Sequence, residues 1–415
     1  MADNTDLIKH LPKSGWLYDY LHYTKSLPFA QTEVPLIYNV FIGISTIAAC
    51  LKRNVYVSRG MYEIFPAMLV VLIGPTGRGK KTTAINLGKK LLEKAKVAKI
   101  LSESVTPEAL IESLRAEKIK LKHGQIVTEV GDSTGLLILP ELSVFLQKRD
   151  YRSGLVPLIT RLGDAPDYFN SETIGRGLSP LNNVALSMQA GTAKSWLIGT
   201  VPVEAFRGGF MARFLFVCSD GVAVPVPRPP ALDSALQAKL ITGLKTFDKL
   251  RGEISVDDDA EAYFTDWYNH FYYHRSIDEK RAAYQERKHD HLMRVALILA
   301  VSDHRDHITT DDVKRSLGLL DILEEDMFQL FGEIERGQTP VGENLQMVLS
   351  LIKRKGVMGR TELLRRVVSK GITAANVDEI IDSLQAGGYI TETRKNEGQH
   401  KVARVYTYKG EVINE

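Results

Sequence analysis

The stretch MLVVLIGPTGRGKKTT (68–83) constrains this chain more than any other. Its apolar opening reads as a buried strand, a glycine-rich turn follows, and AINLGKKLLEK continues as an amphipathic helix. A strand that feeds a helix through a short glycine loop is a building unit of an α/β sheet. Further apolar strands separated by helical stretches are expected at LLIL (136–139), VALSM (184–188) and RFLFVC (213–218). The expected class is therefore α/β.

At 415 residues the chain is too long for one ordinary domain. Its 44% apolar and 25% charged residues exclude wholesale disorder and a fibrous protein. Lys and Arg number 53 against 50 Asp and Glu, which excludes a globally basic binder. The excess of +3 lies in residues 341–415, with 12 basic against 9 acidic side chains. Two cysteines, Cys50 and Cys218, make neither a disulfide framework nor a cysteine-rich zinc site. The most apolar long stretch, Pro35–Leu51, holds Tyr38, Asn39, Ser45 and Thr46 and reads as a buried helix. The N-terminus lacks the basic-then-apolar order of a signal peptide. A cytoplasmic chain with no membrane association is expected.

Four regions are expected: an N-terminal helical region (1–60), an α/β core (61–220), a helical region (221–335) and a C-terminal module (341–415). GVAVPVPRPPALD (221–233) carries four prolines and reads as an extended connector. Thr309 and Thr310 before Asp311 and Asp312 mark a helix start. In the last block, three helical stretches end in glycine, and YITETR and KVARVYTY alternate around NEGQH as a hairpin does. Three helices and a hairpin make the pattern of a winged helix.

The glycine loop carries the chemistry. Gly74, Pro75, Thr76, Gly77, Arg78, Gly79 and Lys80 spell G-x-x-x-x-G-K, which aims backbone N–H groups and a helix N-terminus at a phosphate. Lys80 is expected to reach the β- and γ-phosphates. The next position should hold a hydroxyl for Mg²⁺ and holds Lys81 instead, with Thr82 one step later. Glu141, directly after Pro140 and the LLIL run, is the carboxylate placed to orient water and support a metal, or else only a helix-start glutamate. Gln189 and Thr192 close another strand, where polar side chains can sense phosphate. Arg213 follows a Gly-Gly turn. It either reaches a γ-phosphate across a subunit boundary or pairs with a nearby acid. Arg287 and Arg294 lie two turns apart on one helix face, and Arg294 is placed to fold over the nucleotide as a lid.

Taken in order, these elements resemble the AAA+ replicative helicases of the MCM type. They look most like the MCM-like helicases and P-loop replication proteins of phages, plasmids and mobile elements. The match covers roughly residues 35–331 plus the C-terminal module. The resemblance implies a P-loop AAA+ ATPase core with a helical lid and a winged helix. It implies ATP and Mg²⁺ as ligands, with Thr82 and Glu141 at the metal. Glu141 takes the Walker B place, Thr192 the sensor place, Arg213 the arginine-finger place and Arg294 the lid place. Arg176, between two glycines in TIGRGLSP (173–180), fits the tip of a DNA-gripping hairpin, or is an exposed loop arginine. Lys81 for the hydroxyl and Pro140 for the metal-shell aspartate depart from the family. Residues 1–60 are too short for that family's N-terminal zinc-bearing or oligonucleotide-binding domain.

The winged helix would read DNA poorly through its third helix (373–386), which carries Asp378, Glu379 and Asp382 and no Lys or Arg. Arg394, Lys395, Lys401 and Arg404 on the hairpin suit phosphate contact, which positions without specifying sequence. A module that contacts protein is the alternative. The function expected is an ATP-dependent DNA helicase or translocase of a phage or mobile element. It would act in replication as a ring, a hexamer by resemblance, on single-stranded or forked DNA, with a primase or other replication protein as a possible partner. The alternative is a replication initiator or loader that binds ATP and hydrolyses it weakly or not at all.

Overall fold

A computed structural model describes residues 4–27, 30–101, 106–115, 117–122, 125–142, 155–173, 177–200, 209–220, 225–275, 279–338, 340–368, 372–396 and 402–409. The chain divides into two compact units, residues 1–331 and 332–415.

The first unit begins with α1 (Asn4–Lys9), α2 (Gly15–Tyr23) and α3 (Leu36–Leu51). Strands β1 (Val55–Ser58), β2 (Glu63–Ile64) and β3 (Leu69–Ile73) lead into α4 (Lys81–Ala95). Then come β4 (Ile100–Leu101), α5 (Pro107–Leu114), the hairpin β5 (Glu117–Lys122) and β6 (Gln125–Val130), and β7 (Asp132–Leu139). Next are α6 (Leu155–Leu162), β8 (Tyr168–Thr173), β9 (Gly177–Thr192), α7 (Lys194–Thr200) and β10 (Phe214–Cys218). The remainder is helical: α8 (Ser234–Phe247), α9 (Asp258–Tyr273), α10 (Glu279–Ser302) and α11 (Thr310–Gln338), whose residues from 332 on belong to the second unit, with the short strands β11 (Gly252–Glu253), β12 (Ser255–Val256) and β13 (His307–Ile308) between them.

The central sheet runs β10-β3-β9-β7-β4, and every neighbouring pair on that path is parallel. The protein is thus α/β with a parallel central sheet. Helices cover both faces of such a sheet, so its strands are apolar throughout. All of β3 is buried, and Phe214–Val217 of β10 are too. The first part of β9 instead forms an antiparallel ribbon with β8, Tyr168 opposite Asn182 and Thr173 opposite Gly177. Helix α4 turns Ala84, Ile85, Gly88, Leu91 and Leu92 inward, one stripe at helical spacing, and packs on α3.

One hydrophobic core draws on Trp16, Tyr20 and Phe41 from the first helices, Val70 and Leu72 from β3, and Leu244, Leu297 and Leu320 from the later ones. The expected regions 1–60, 61–220 and 221–335 therefore all contribute to this core. Residues 225–233 carry neither helix nor strand. No helix among the described residues is long and apolar enough to cross a membrane.

The second unit holds α12 (Pro340–Lys355), β14 (Val357–Gly359), α13 (Arg360–Val368), α14 (Ala374–Ala386), β15 (Ile390–Asn396) and β16 (Val402–Tyr408). Its sheet is antiparallel, in the order β14-β16-β15. Thr373 caps α14, its hydroxyl accepting from the Asn376 N–H. Val348, Ile352, Leu363, Val377, Leu384 and Tyr406 belong to a core of its own.

Candidate functional site

The parallel register brings Ile73, Thr192 and Cys218 to one edge of the sheet, with Leu139 beside Ala190. In open α/β sheets ligands bind outside this carboxyl edge. The loop 74–80 leaves β3 there. The Gly74 N–H donates to the Thr192 carbonyl at 3.2 Å, and the Gly79 N–H to the Pro75 carbonyl at 3.0 Å. The Tyr38 hydroxyl, from α3, donates to the Ile73 carbonyl at 2.6 Å and pins the point where strand becomes loop. Thr76, Gly77 and Arg78 are exposed at the crest.

The two lysines part company. Lys80 caps α4 in a left-handed conformation, φ +48°, and sends its ammonium outward to Glu33 at 2.8 Å. Its hydrogen bond is the first cause holding the Glu33 carboxyl below the usual range; the Val226 N–H, donating to the same side chain at 3.2 Å, adds to it. Lys81 is the first residue of α4 and is buried. Its Nζ turns back into the loop, donating to the Gly74 carbonyl at 2.7 Å and the Pro75 carbonyl at 3.1 Å. Burial draws its pKa below the ordinary lysine value, and the Glu141 carboxylate opposes that shift. The ammonium inside the loop is therefore that of Lys81, not Lys80. The hydroxyl residue after it is Thr82, exposed in the first turn of the helix.

Strand ends close around Lys81. A side chain at Gly191 would begin 2.7 Å from the Pro140 carbonyl and 3.4 Å from Lys81 Cβ, so only glycine allows the ends of β7 and β9 to meet the loop this closely. Glu141 is exposed just past β7. Thr192 is buried beside the loop, its carbonyl holding Gly74. Gln189 is not at the edge: its amide donates to the Ser45 hydroxyl of α3 at 3.3 Å, and the residue is wholly buried. No group of three or more His, Cys, Asp or Glu among the described residues is arranged to hold a metal ion.

Arg213 and Arg294 lie away from this edge. Arg213 immediately precedes β10, whose Phe214 is level with Leu69 at the start of β3. Its Nε donates to Asp164 Oδ1 at 2.9 Å, Nη2 to Asp164 Oδ2 at 2.5 Å and Nη1 to the Gly209 carbonyl at 2.7 Å. The pairing with an acid is thus the arrangement present. Arg287 donates to the same Asp164 at 2.7 Å. Burial pushes the Asp164 carboxyl up, but the Arg213 bond and the Arg287 charge outweigh it, and the net shift is downward. Arg294, on α10, is buried in this cluster rather than folded over the loop of its own chain, and burial lowers its pKa. Between Arg287 and Arg294 on α10, His291 bonds the Ala212 carbonyl through Nε2 at 2.9 Å. Burial, with Arg294 adding to it, drops the imidazole pKa to about 3.

On the second unit, Arg360 grips Asp378 through two bonds, at 2.9 and 2.7 Å. Arg404 stands 3.7 Å from both Asp378 and Glu392, so these carboxylates compete with any phosphate for it. Arg394 and Lys395 lie on β15, opposite Arg404 and Ala403. Arg176 and Lys401 fall outside the described residues.

Tyr38, Glu33 and Asp164 were not singled out by sequence. Each is an isolated residue of common type, and only long-range folding brings it to its partner. Compared with known proteins, the chain matches no family model and no curated sequence.

Proposed function

We propose that the chain binds a nucleoside triphosphate in the loop 74–81 and is an AAA+ ATPase acting on DNA, a helicase or translocase working as a ring. The observation that carries the reading is the Lys81 ammonium lodged on the Gly74 and Pro75 carbonyls at the carboxyl edge of a parallel sheet. An ammonium held there, beside the N–H groups of the first turn of α4, is a phosphate receptor in waiting. The register of the loop is one residue later than its spelling. Lys81 takes the phosphate role, Thr82 follows it as the hydroxyl, and the apparent conflict of a lysine at the metal position disappears. Lys80 is the surplus residue.

The residues present fit a magnesium nucleotide. Mg²⁺ commonly relies on one or two protein groups plus substrate phosphates, and Thr82 and Glu141 supply such groups. When bound, the ion neutralises charge on the phosphates. Strands β3 and β7 flank β9, so Glu141 stands about 10 Å from the loop strand, two strand spacings. A polyphosphate reaching across the end of β9 brings its terminal group toward Glu141, which is placed to orient water. Thr192 lies between them. Arg213 is level with the residue before β3, roughly 20 Å of strand from Gly74, so it serves a neighbour's nucleotide and not its own. Arg294 belongs with it. This separation supports a ring. The second unit, three helices with a three-stranded sheet, is read as a winged helix that contacts DNA through β15 and β16.

Nucleotide titration of two variants tests the reading. Lys81→Ala is expected to weaken ATP binding about 100-fold, the loss of a charge-assisted contact of about 3 kcal/mol. Lys80→Ala should stay within about threefold. The reverse order would overturn the assignment. Pro140, where an aspartate would support the metal, favours a second reading, an initiator or loader that binds ATP and turns it over slowly. Steady-state ATPase rates with and without single-stranded DNA separate the two.

A further inference from the structure

Three guanidinium groups converge on Asp164, on the turn after α6. Arg213 presents the fork of Nε and Nη2 to both carboxylate oxygens, and Arg287 adds a third bond. Arg294 lies beside them, nine-tenths buried, and its Nε has no hydrogen-bond partner among the described residues. A desolvated guanidinium N–H without an acceptor is costly. Arginine clusters of this kind match the geometry and charge of phosphate. The side chains of Asp164, Arg213 and Arg287 are 37%, 13% and 28% exposed, so the cluster can be reached from outside.

We propose that the Arg213–Arg287–Arg294 cluster is a receptor for a phosphate-class anion and that Asp164 is its built-in occupant, displaced when the phosphate arrives. Asp164 holds the only fork Arg213 has turned toward it, while Nη1 is tied to the Gly209 carbonyl. An entering phosphate must therefore take that fork from the carboxylate. A phosphate offers three acceptor oxygens and a charge of about −2 against two oxygens and −1, and so wins among three guanidiniums. Asp164 would then keep the arginines extended and neutralised until a ligand is present. That the ligand is the nucleotide of a neighbouring subunit rests on the function proposed above; the receptor itself does not.

The test uses the full chain with the loop silenced by Lys81→Ala, and inorganic tripolyphosphate as probe in calorimetric titrations. Adding Asp164→Asn should tighten binding about tenfold, the effect of removing one competing charge, and adding Arg213→Ala should cancel that gain. Asp164→Glu keeps the charge and should bind as weakly as Asp164. An affinity unmoved by Asp164→Asn, a gain that survives without Arg213, or a Glu variant that behaves like Asn would each overturn the proposal. In an otherwise unaltered chain, Asp164→Asn should also lower the protein concentration at which ATP drives self-association. If tripolyphosphate responds as stated and self-association does not, the receptor stands and the neighbour's nucleotide is not its ligand.

Discussion

Burial decides the protonation of His291. Its pKa of about 3 lies below the ordinary value of 6.5, so the folded chain keeps the ring neutral where an unfolded chain takes up a proton. Above pH 6.5 the two states match and the residue adds no pH dependence. As pH falls from 6.5 toward 3, stability is lost at up to one proton's slope. At pH 5 the loss is about 2 kcal/mol. His291→Gln, which keeps a donor for the Ala212 carbonyl, should remove that part of the acid sensitivity. Urea midpoints at pH 7 and pH 5 measure it: the shift between them should shrink in the variant. The residue scale also explains why the spelling of the loop does not show which lysine turns into it. Spelling alone satisfies G-x-x-x-x-G-K at Lys80. Which ammonium enters the loop depends on where the helix begins. A left-handed Lys80, in a conformation that glycine adopts more readily, starts it one residue later.

At the scale of elements, the site depends on how closely α4 lies on α3. Gly88 faces α3, and a methyl group there would sit 2.6 Å from Thr46 Oγ1 and 2.8 Å from Ile42 Cγ2. Gly88→Ala gains about 1 kcal/mol in helix propensity and loses more to overpacking, which costs about 1–3 kcal/mol. The expected outcome is a lower melting temperature, with Gly88→Val lower still, and thermal unfolding followed by circular dichroism checks both. Elements were the most legible level of this chain. The apolar runs at 68–73, 136–139, 184–188 and 213–218 all contribute strands of the central sheet, because buried parallel strands need apolar residues on both faces. The helix start at Thr309 and Asp312 also carries a readable signal: the Asp312 carboxylate accepts from the Thr309 N–H at 2.9 Å. The hairpin β5–β6 gave no such signal. EKIKLK alternates with charge, and its pairing with QIVTEV follows from register rather than composition. The 16-residue β9 was legible only in its buried part, since its first half leaves the sheet to pair with β8.

For the whole molecule, sequence grammar divides what packing unites. The proline-rich connector looks like a domain boundary, yet residues before the sheet bond directly to helices after it. The Trp16 indole donates to the Leu240 carbonyl at 2.8 Å, the Leu17 N–H to the Ser302 hydroxyl at 2.8 Å and the Cys50 thiol to the Leu244 carbonyl at 3.0 Å. Local pattern cannot show such pairings, because their partners lie about 200 or more residues apart. The consequence is an asymmetry between two truncations. Removing residues 1–60 takes Trp16, Leu17, Tyr20, Tyr38 and Phe41 out of the core, all fully or nearly fully buried. Each large side chain lost from a core costs about 3–5 kcal/mol, so the sum exceeds the about 5–15 kcal/mol that holds a domain together. That fragment should be insoluble or unfolded. A cut between Phe331 and Gly332 separates two cores that share no member, so residues 1–331 should melt cooperatively and retain the ATP affinity proposed for the full chain. Residues 332–415 alone should give a dispersed proton spectrum and a cooperative melt of their own. If the shorter N-terminal deletion folded and the cut at 331 did not, the packing of residues 1–60 into the core of the first unit would not be needed for its folding, and the support that α3 gives the loop 74–80 through Tyr38 would be dispensable.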